Sequence, residues 1–280
     1  MIILNYYVNM KEKQLNGGKI SVIEFSHNKT APKMPGVHVH TKHELYYLVR
    51  GKTKYLIDDE IYPVESGNIV FIPKGHYHMT DSGGYKDVER YLLSFDEDIF
   101  DSETRIILDE LINRRLISIP INRAKELEDL FGKLENYIKM DGKLGYAVCK
   151  IHALSILSFI CRHKREFIPV VSEADKIAHQ ASEYISQSYS EDLSLEHLSR
   201  KFSISESYLS RKFKEVVGMG ISEYITFIRI INAEKLLLEG DDSITSVAQK
   251  CGFNDPNYFS TVFKKIKGIT PLKFAKNAKT

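Results

Sequence analysis

The side chains best suited to gripping an anionic polymer stand in Ser207-Tyr-Leu-Ser-Arg-Lys-Phe-Lys214, and a near-copy, Asn257-Tyr-Phe-Ser-Thr-Val-Phe-Lys264, returns fifty residues later. A guanidinium such as that of Arg211 can contact O6 and N7 of one guanine together, whereas the ammonium groups of Lys212, Lys214, Lys264 and Lys265 suit phosphate oxygens. Arg211 could equally hold a phosphate or close an internal salt bridge. The repeat runs beyond these positions, since Gly218 and Gly268 follow at the same interval and a short polar turn precedes each copy.

Two short helices would present those groups. Tyr208, Leu209, Phe213 and Val216 recur at the spacing of one helical face, as do Tyr258, Phe259, Phe263 and Ile266, while the opposite face is polar and mostly cationic. Ser205 is placed to cap the first helix; Asp255-Pro256 supplies a cap and a proline at the first helical position. Upstream of each copy lies a further helical pattern, at 194–202 and 243–251, joined to it by a tight turn. Helix, short turn and helix form the unit whose second helix enters a DNA major groove.

Residues 176–277 resemble the DNA-binding domain of the AraC/XylS family of bacterial transcription regulators. The resemblance is carried by Tyr208-Leu-Ser-Arg-Lys-Phe-Lys214, Gly218, Tyr224, Arg229, Ala233, Leu236-Leu237, Ile244, Val247-Ala248, Gly252-Phe253, Tyr258-Phe-Ser260, Phe263-Lys264, Gly268 and Thr270-Pro271. It implies a regulator of transcription on double-stranded DNA, with RNA polymerase as a partner if the protein activates. Base-facing candidates are Glu206, Ser207, Ser210 and Arg211 in the first motif and Pro256, Asn257, Ser260 and Thr261 in the second; Asn257 could instead help cap its helix. Three positions depart from the family pattern: Ser199 for a small alanine, Ser203 for a turn glycine, with slight strain expected, and Thr261 for a common arginine. The last predicts that the second motif reads fewer bases or only positions the protein. A helix over 221–239, closed by Gly240, would hold the motifs at the spacing of successive major grooves, about 34 Å.

Bulk properties bound this reading without forcing it. A chain of 280 residues with 43% hydrophobic content suits two medium domains. Net charge is +2, and from residue 175 onward 15 basic residues face only 13 acidic ones, so the charge is patterned on helices rather than massed. Cys149, Cys161 and Cys251 have no close spacing and read as buried thiols in a reducing compartment. The first 14 residues lack a signal-peptide pattern, and the apolar run 144–161 is broken by Lys150 and His152 and is marginal for a membrane span. A cytoplasmic protein with no membrane partner is expected.

Toward the N-terminus, 19–25, 44–49, 53–57, 68–72 and 89–95 read as strands, divided by Gly17-Gly18, Gly51, Asp58-Asp59, Gly67 and Gly83-Gly84; no long helix is expected before Asp98. Many short strands indicate a barrel or sandwich. Within them stand Gly36-x-His38-x-His40-x3-Glu44-x6-Gly51 and Gly67-x5-Pro73-x-Gly75-x2-His78. These spacings are similar to both motifs of the cupins, small β-barrels, apart from Ser82 where the second motif often ends in asparagine. In metal-binding cupins the matching positions, His38, His40, Glu44 and His78, would be ligands, and three imidazoles with one carboxylate suit Fe, Mn, Ni or Zn. Sensor domains of AraC-like regulators often keep such histidines in an empty or sugar-filled barrel, so no cofactor is required. The same four residues, with Tyr46, Tyr55 and Phe71, would then line an effector pocket of rings and hydrogen-bonding groups.

Carbohydrate is the effector class that the resemblance implies. Period two sets Tyr46 and Leu48 beside Glu44 on the inner face and turns His43 and Tyr47 outward. The competing reading is a metal-dependent cupin enzyme with a DNA-binding tail, with a metal-sensing regulator between the two. From Ile99 to Arg165 the period is helical: Leu127, Leu130, Leu134, Tyr137 and Ile138 make one stripe, and a more fully apolar helix follows at 148–160. In the resembled family such helices commonly form a homodimer interface. The whole reads as a two-domain α+β chain: a cupin-like sensor over 1–165 (barrel 1–97, helices 98–165), a linker over 166–175, and an all-α double helix-turn-helix over 176–280.

Overall fold

The computed structural model describes residues 23–30, 37–81, 84–140, 142–166, 173–240 and 242–278. The N-terminal segment with the Gly17-Gly18 turn and the start of the first expected strand, Gly36, Ser82, Gly83, most of the expected linker, Asp241 and Lys279 lie outside them. The chain divides into two compact units, the bulk of one before Pro169 and the bulk of the other after it.

The first unit is β-rich. Strands β1 (Ile23–Asn28), β2 (His43–Arg50), β3 (Lys52–Ile57), β4 (Glu60–Glu65), β5 (Asn68–Ile72), β6 (His78–Asp81), β7 (Glu89–Phe95), β8 (Leu116–Ser118) and β9 (Arg165–Glu166) form two sheets. One has the order β1-β7-β2-β5-β8-β9 and the other β4-β3-β6. The sheets face each other, since the rings of Tyr46 on β2 and Tyr55 on β3 meet edge to face at 5.0 Å. Strands β4 and β6 go beyond the sequence expectation. The first carries Pro63, tolerated because β4 is an edge strand, and the second is four residues long, too short for alternation to show. At the β2–β3 turn Gly51 has φ +103°, and a Cβ there would lie 2.5 Å from the Asp87 carbonyl oxygen, so only glycine fits.

The outward face of the larger sheet is not wet. Helices α1 (Arg105–Leu111), α2 (Ile121–Tyr137) and α3 (Gly142–His163) cover it, and their Leu108, Leu127, Phe131, Leu134, Ala153 and Ile156 form one core with Leu45, Tyr47, Tyr91 and Leu93 of the strands. This removes Phe71 from the effector set. The antiparallel register pairs Leu45 with Phe71, putting both on the helix-covered face, while Ile72 and Val70 stand inward beside Glu44 and Tyr46. Phe71 stacks on His43 instead, at 5.8 Å. By length and composition α3 could cross a membrane, but Cys149, Ala153, Ile156, Leu157 and Ile160 share the sheet's core.

From Glu173 onward the elements among the described residues are all helices: α4 (Glu173–Gln187), α5 (Leu195–Lys201), α6 (Glu206–Val217), α7 (Ile221–Glu239), α8 (Ile244–Lys250), α9 (Pro256–Lys267) and α10 (Pro271–Ala278). Ser194, Ser205, Ser243 and Asp255 each cap a helix by accepting a backbone N–H with the side chain. Gly218, Gly240 and Gly268 end α6, α7 and α9 in the left-handed conformation. The turn between α5 and α6 places Ser203 at φ +55°, where Gly252 serves the matching turn at φ +80°. A side chain in that conformation costs about 1 kcal/mol, the local strain that serine in place of glycine entails. Helices α8 and α9 close on the second half of α7 through Ile230, Ala233, Leu237, Val247, Phe259 and Phe263.

Candidate functional site

Within the barrel, alternation along β2 sends Glu44 and Tyr46 inward. Glu44 is 4% exposed and meets two imidazoles: His40 Nε2 lies 3.0 Å from Oε2, and His78 Nε2 lies 3.9 Å from Oε1. The two rings stand edge to face at 4.7 Å. Each is anchored through its other nitrogen, with Nδ1 of His40 2.8 Å from the Lys42 carbonyl and Nδ1 of His78 3.1 Å from the His76 carbonyl. Burial opposes charge on His40, but its hydrogen bond to Glu44 and the charge beside it outweigh that, and its pKa is raised. The ligating nitrogens of His38, His40 and His78 all lie within 4.8 Å of one another.

The loop that carries His76 and leads into His78 of β6 is tied down behind the site. His43 accepts the Lys74 N–H at Nδ1 (3.2 Å) and lies 3.1 Å from Glu97 through Nε2, while Gly75 N–H donates to the His40 carbonyl at 3.0 Å. Hydrogen bonds from Lys74 and Arg105 pull the Glu97 carboxyl down to about 2. Farther into the barrel, the Tyr46 and Tyr55 hydroxyls are raised by burial. The Thr53 and Thr80 hydroxyls bond each other at 2.8 Å. Arg90, opposite Leu48 in the β2–β7 register, places its guanidinium 5.9 Å from the Tyr46 ring centre. Sequence reading passed over Arg90, although β7 alternation from Leu92 would have found it.

In the helical unit, α6 and α9 are amphipathic and expose Glu206, Ser207, Ser210, Arg211 and Lys214 on the first and Asn257, Thr261, Lys264 and Lys265 on the second. The Arg211 guanidinium sits 5.9 Å from the Tyr208 ring centre. Asp255, not Asn257, caps α9, accepting the Asn257 N–H at 2.8 Å. Pro256 occupies the first helical turn. The Ser260 and Thr261 hydroxyls donate back to the Pro256 and Asn257 carbonyls, so the exposed Asn257, Lys264 and Lys265 are the freer groups on α9, while Lys267 is paired with Glu234 at 2.7 Å.

Lys212 is a correction. The structure holds it, 12% exposed, between Asp175 at 2.8 Å and Glu215 at 3.2 Å, and the Asp175 hydrogen bond raises its pKa. A lysine so paired has no spare charge to release counterions. Lys212→Ala is therefore expected to leave the slope of log affinity against log salt unchanged, while Lys214→Ala should shrink it by about 0.9. Fluorescence anisotropy on random-sequence duplex across a salt series reads both, and an equal slope change would return Lys212 to the phosphate contacts.

Comparison with known families assigns both units. Residues 23–136 match the family described as AraC-like ligand binding domain, and residues 198–277 match the family described as helix-turn-helix domain. The chain belongs to the AraC family of transcription regulators. This AraC-family chain is 28% identical over 250 residues to the HTH-type transcriptional activator RhaR of Mannheimia succiniciproducens, covering 87% of each chain. It is 25% identical to the uncharacterized HTH-type transcriptional regulator YisR of Bacillus subtilis, covering 83% of this chain and 85% of that one. It is 24% identical to the HTH-type transcriptional activator RhaS of Escherichia fergusonii, covering 84% and 85%. The AraC-family regulator is thus a DNA-binding protein with a ligand-binding domain, in a family of regulators and not of enzymes.

Proposed function

We propose that the barrel binds a small polar effector, of the carbohydrate class, and that occupancy biases a homodimer toward one DNA-binding geometry. The Tyr46 hydroxyl carries this reading: it is buried, inward-facing and, among the described residues, without a hydrogen-bond partner. A buried hydroxyl left unpaired costs about 1–3 kcal/mol, a cost that an effector hydroxyl would remove. The Tyr46 and Tyr55 rings offer stacking surfaces, and Glu44, His78 and Arg90 offer the charged and polar contacts that orient a polyol. The exposed apolar side chains of α2, α3 and the turn between them, Tyr137, Leu144, Ile151 and Met140, support pairing with a second copy. The relatives named as activators support recruitment of RNA polymerase, with the protein working in the cytoplasm beside its DNA.

Thermal melting of the full chain against a panel of sugars tests the reading. A true effector at a hundredfold excess over its dissociation constant adds about 2.7 kcal/mol of stability. Tyr46→Phe should melt no lower than wild type without effector, because it removes an unpaired hydroxyl, yet lose most of the effector shift. An undiminished shift in Tyr46→Phe would sink the hydroxyl's role.

One observation favours a second reading, a divalent metal of the Zn, Ni, Mn or Fe class. His40 and His78 both rest Nδ1 on backbone carbonyls and aim Nε2 toward Glu44, the outer arrangement common around metal-bound histidines. Tetrahedral ligands would stand about 3.4 Å apart, so His38, His40 and His78 would need only a small convergence. Such an ion would supply a fixed positive centre for an effector oxygen, or be the signal itself. The same melting assay with Zn(II) or Mn(II) after chelation decides it: a shift abolished by His78→Ala supports the metal, and silence removes it.

A further inference from the structure

We propose that Arg229 is the positioning residue that fixes the two recognition helices relative to each other, and so sets the spacing of the DNA segments this protein reads. The inference rests on family membership and on the helical unit alone, and is independent of the effector reading.

Arg229 stands midway along α7, where the contacts of that helix change hands. Before it, Tyr224 packs edge to face on Phe213 of α6 at 5.3 Å; after it, Ile230, Ala233 and Leu237 belong to the core of the second motif. Its Nε donates to the Tyr189 carbonyl and its Nη2 to the Glu191 carbonyl, both at 2.8 Å. Those carbonyls lie in the turn that leads from α4 into the first motif. Its guanidinium also sits 5.9 Å from the centre of the Phe253 ring, in the turn of the second motif.

The neighbouring backbone leaves room for this grip. At Gly252 a Cβ would stand 3.0 Å from Arg229 Nε and Cζ and 2.9 Å from the Ser190 carbonyl oxygen. Tyr189 packs against the second motif's core as well. One side chain therefore closes the approach to the first motif onto the turn of the second. Only arginine combines a planar fork that reaches two carbonyls with a flat face for an aromatic ring; lysine offers a single point charge. A straight helix such as α7 sets how far apart two packed motifs lie, but their rotation about it needs an off-axis contact, and Arg229 makes one.

The test uses the full chain and a duplex enriched from random sequence on the wild-type protein, in which footprinting locates two contacted segments. Inserting or deleting one base pair between the segments should weaken wild-type binding about tenfold, as for two rigidly joined modules. Arg229→Gln should bind the parent and shifted duplexes alike, while its affinity for a duplex carrying either segment alone matches wild type. Arg229→Lys, which keeps the charge and loses the fork, should also lose the spacing preference, and serves if the glutamine variant does not fold. A variant that keeps the wild-type spacing preference overturns the proposal. So does one that weakens equally on single-segment duplexes, which would mark Arg229 as a DNA contact or a general stabiliser.

Discussion

Phe131→Ala is expected to destabilise the sensor unit by about 3–5 kcal/mol, the range for emptying a fully buried aromatic site. Phe131 has no exposed surface and lies nearly parallel to Tyr91 at 4.7 Å and to Tyr47 at 5.8 Å. It is the point at which α2 is fastened to β2 and β7, whose opposite faces carry Tyr46, Glu44 and Arg90. Stacked rings contribute about 0.5–1.5 kcal/mol beyond the area they bury, and the rigid sheet behind them cannot collapse to fill the space. Because the chain has no tryptophan, near-ultraviolet circular dichroism of the tyrosines in this stack reports its unfolding in urea. The midpoint should fall with the slope unchanged. A loss below about 1 kcal/mol would mean that α2 moves inward to close the cavity, and that the helical layer is less firmly set than its packing indicates.

How much of this was legible in the sequence depended on whether the signal was local. The helix-turn-helix motifs were, because a cap such as Ser205, a C-terminal glycine such as Gly218 and the face of Leu209 and Phe213 all lie within one short segment. The inward facing of Glu44 and Tyr46 was legible for the same reason, since β2 is long enough for its alternation to be followed. Phe71 was not: every residue of β5 is buried, so hydrophobicity marks no face, and only the register against β2 shows which side Phe71 takes. His43 and Tyr47 are expected outward, and they are, but partners that meet them there, Glu97 at His43 and Phe131 of α2 at Tyr47, come fifty and more residues later. Lys212 shows the same limit in the helical unit. Its position on α6 looks cationic and free, yet the carboxylate that occupies it, Asp175, belongs to another helix. Arg229 was visible as part of a pattern, while its two carbonyl partners were not, because backbone acceptors leave no mark on a sequence.

Arg211→Ala should weaken binding to the cognate DNA by about 1–3 kcal/mol and relax the preference at one base pair, with little effect on random sequence. The contrast between the two motifs carries this expectation. On α9 the Ser260 and Thr261 hydroxyls turn back on their own helix, and Thr261 stands at the position that matches Arg211. On α6, Arg211 is exposed and steadied from one side by Tyr208, which narrows the guanidinium's freedom and lessens what is lost when it settles against a base. Two neighbours on the same helix provide the contrast. Lys214→Ala removes a charge that any phosphate can use, so cognate and random duplexes should weaken alike. Lys212→Ala removes a charge already neutralised by Asp175 and should weaken neither. Binding of the three variants to both duplexes at one salt concentration separates these roles: an equal loss on both for Arg211→Ala would make Arg211 a phosphate contact, and sequence reading by the first motif would then fall to Glu206, Ser207 and Ser210.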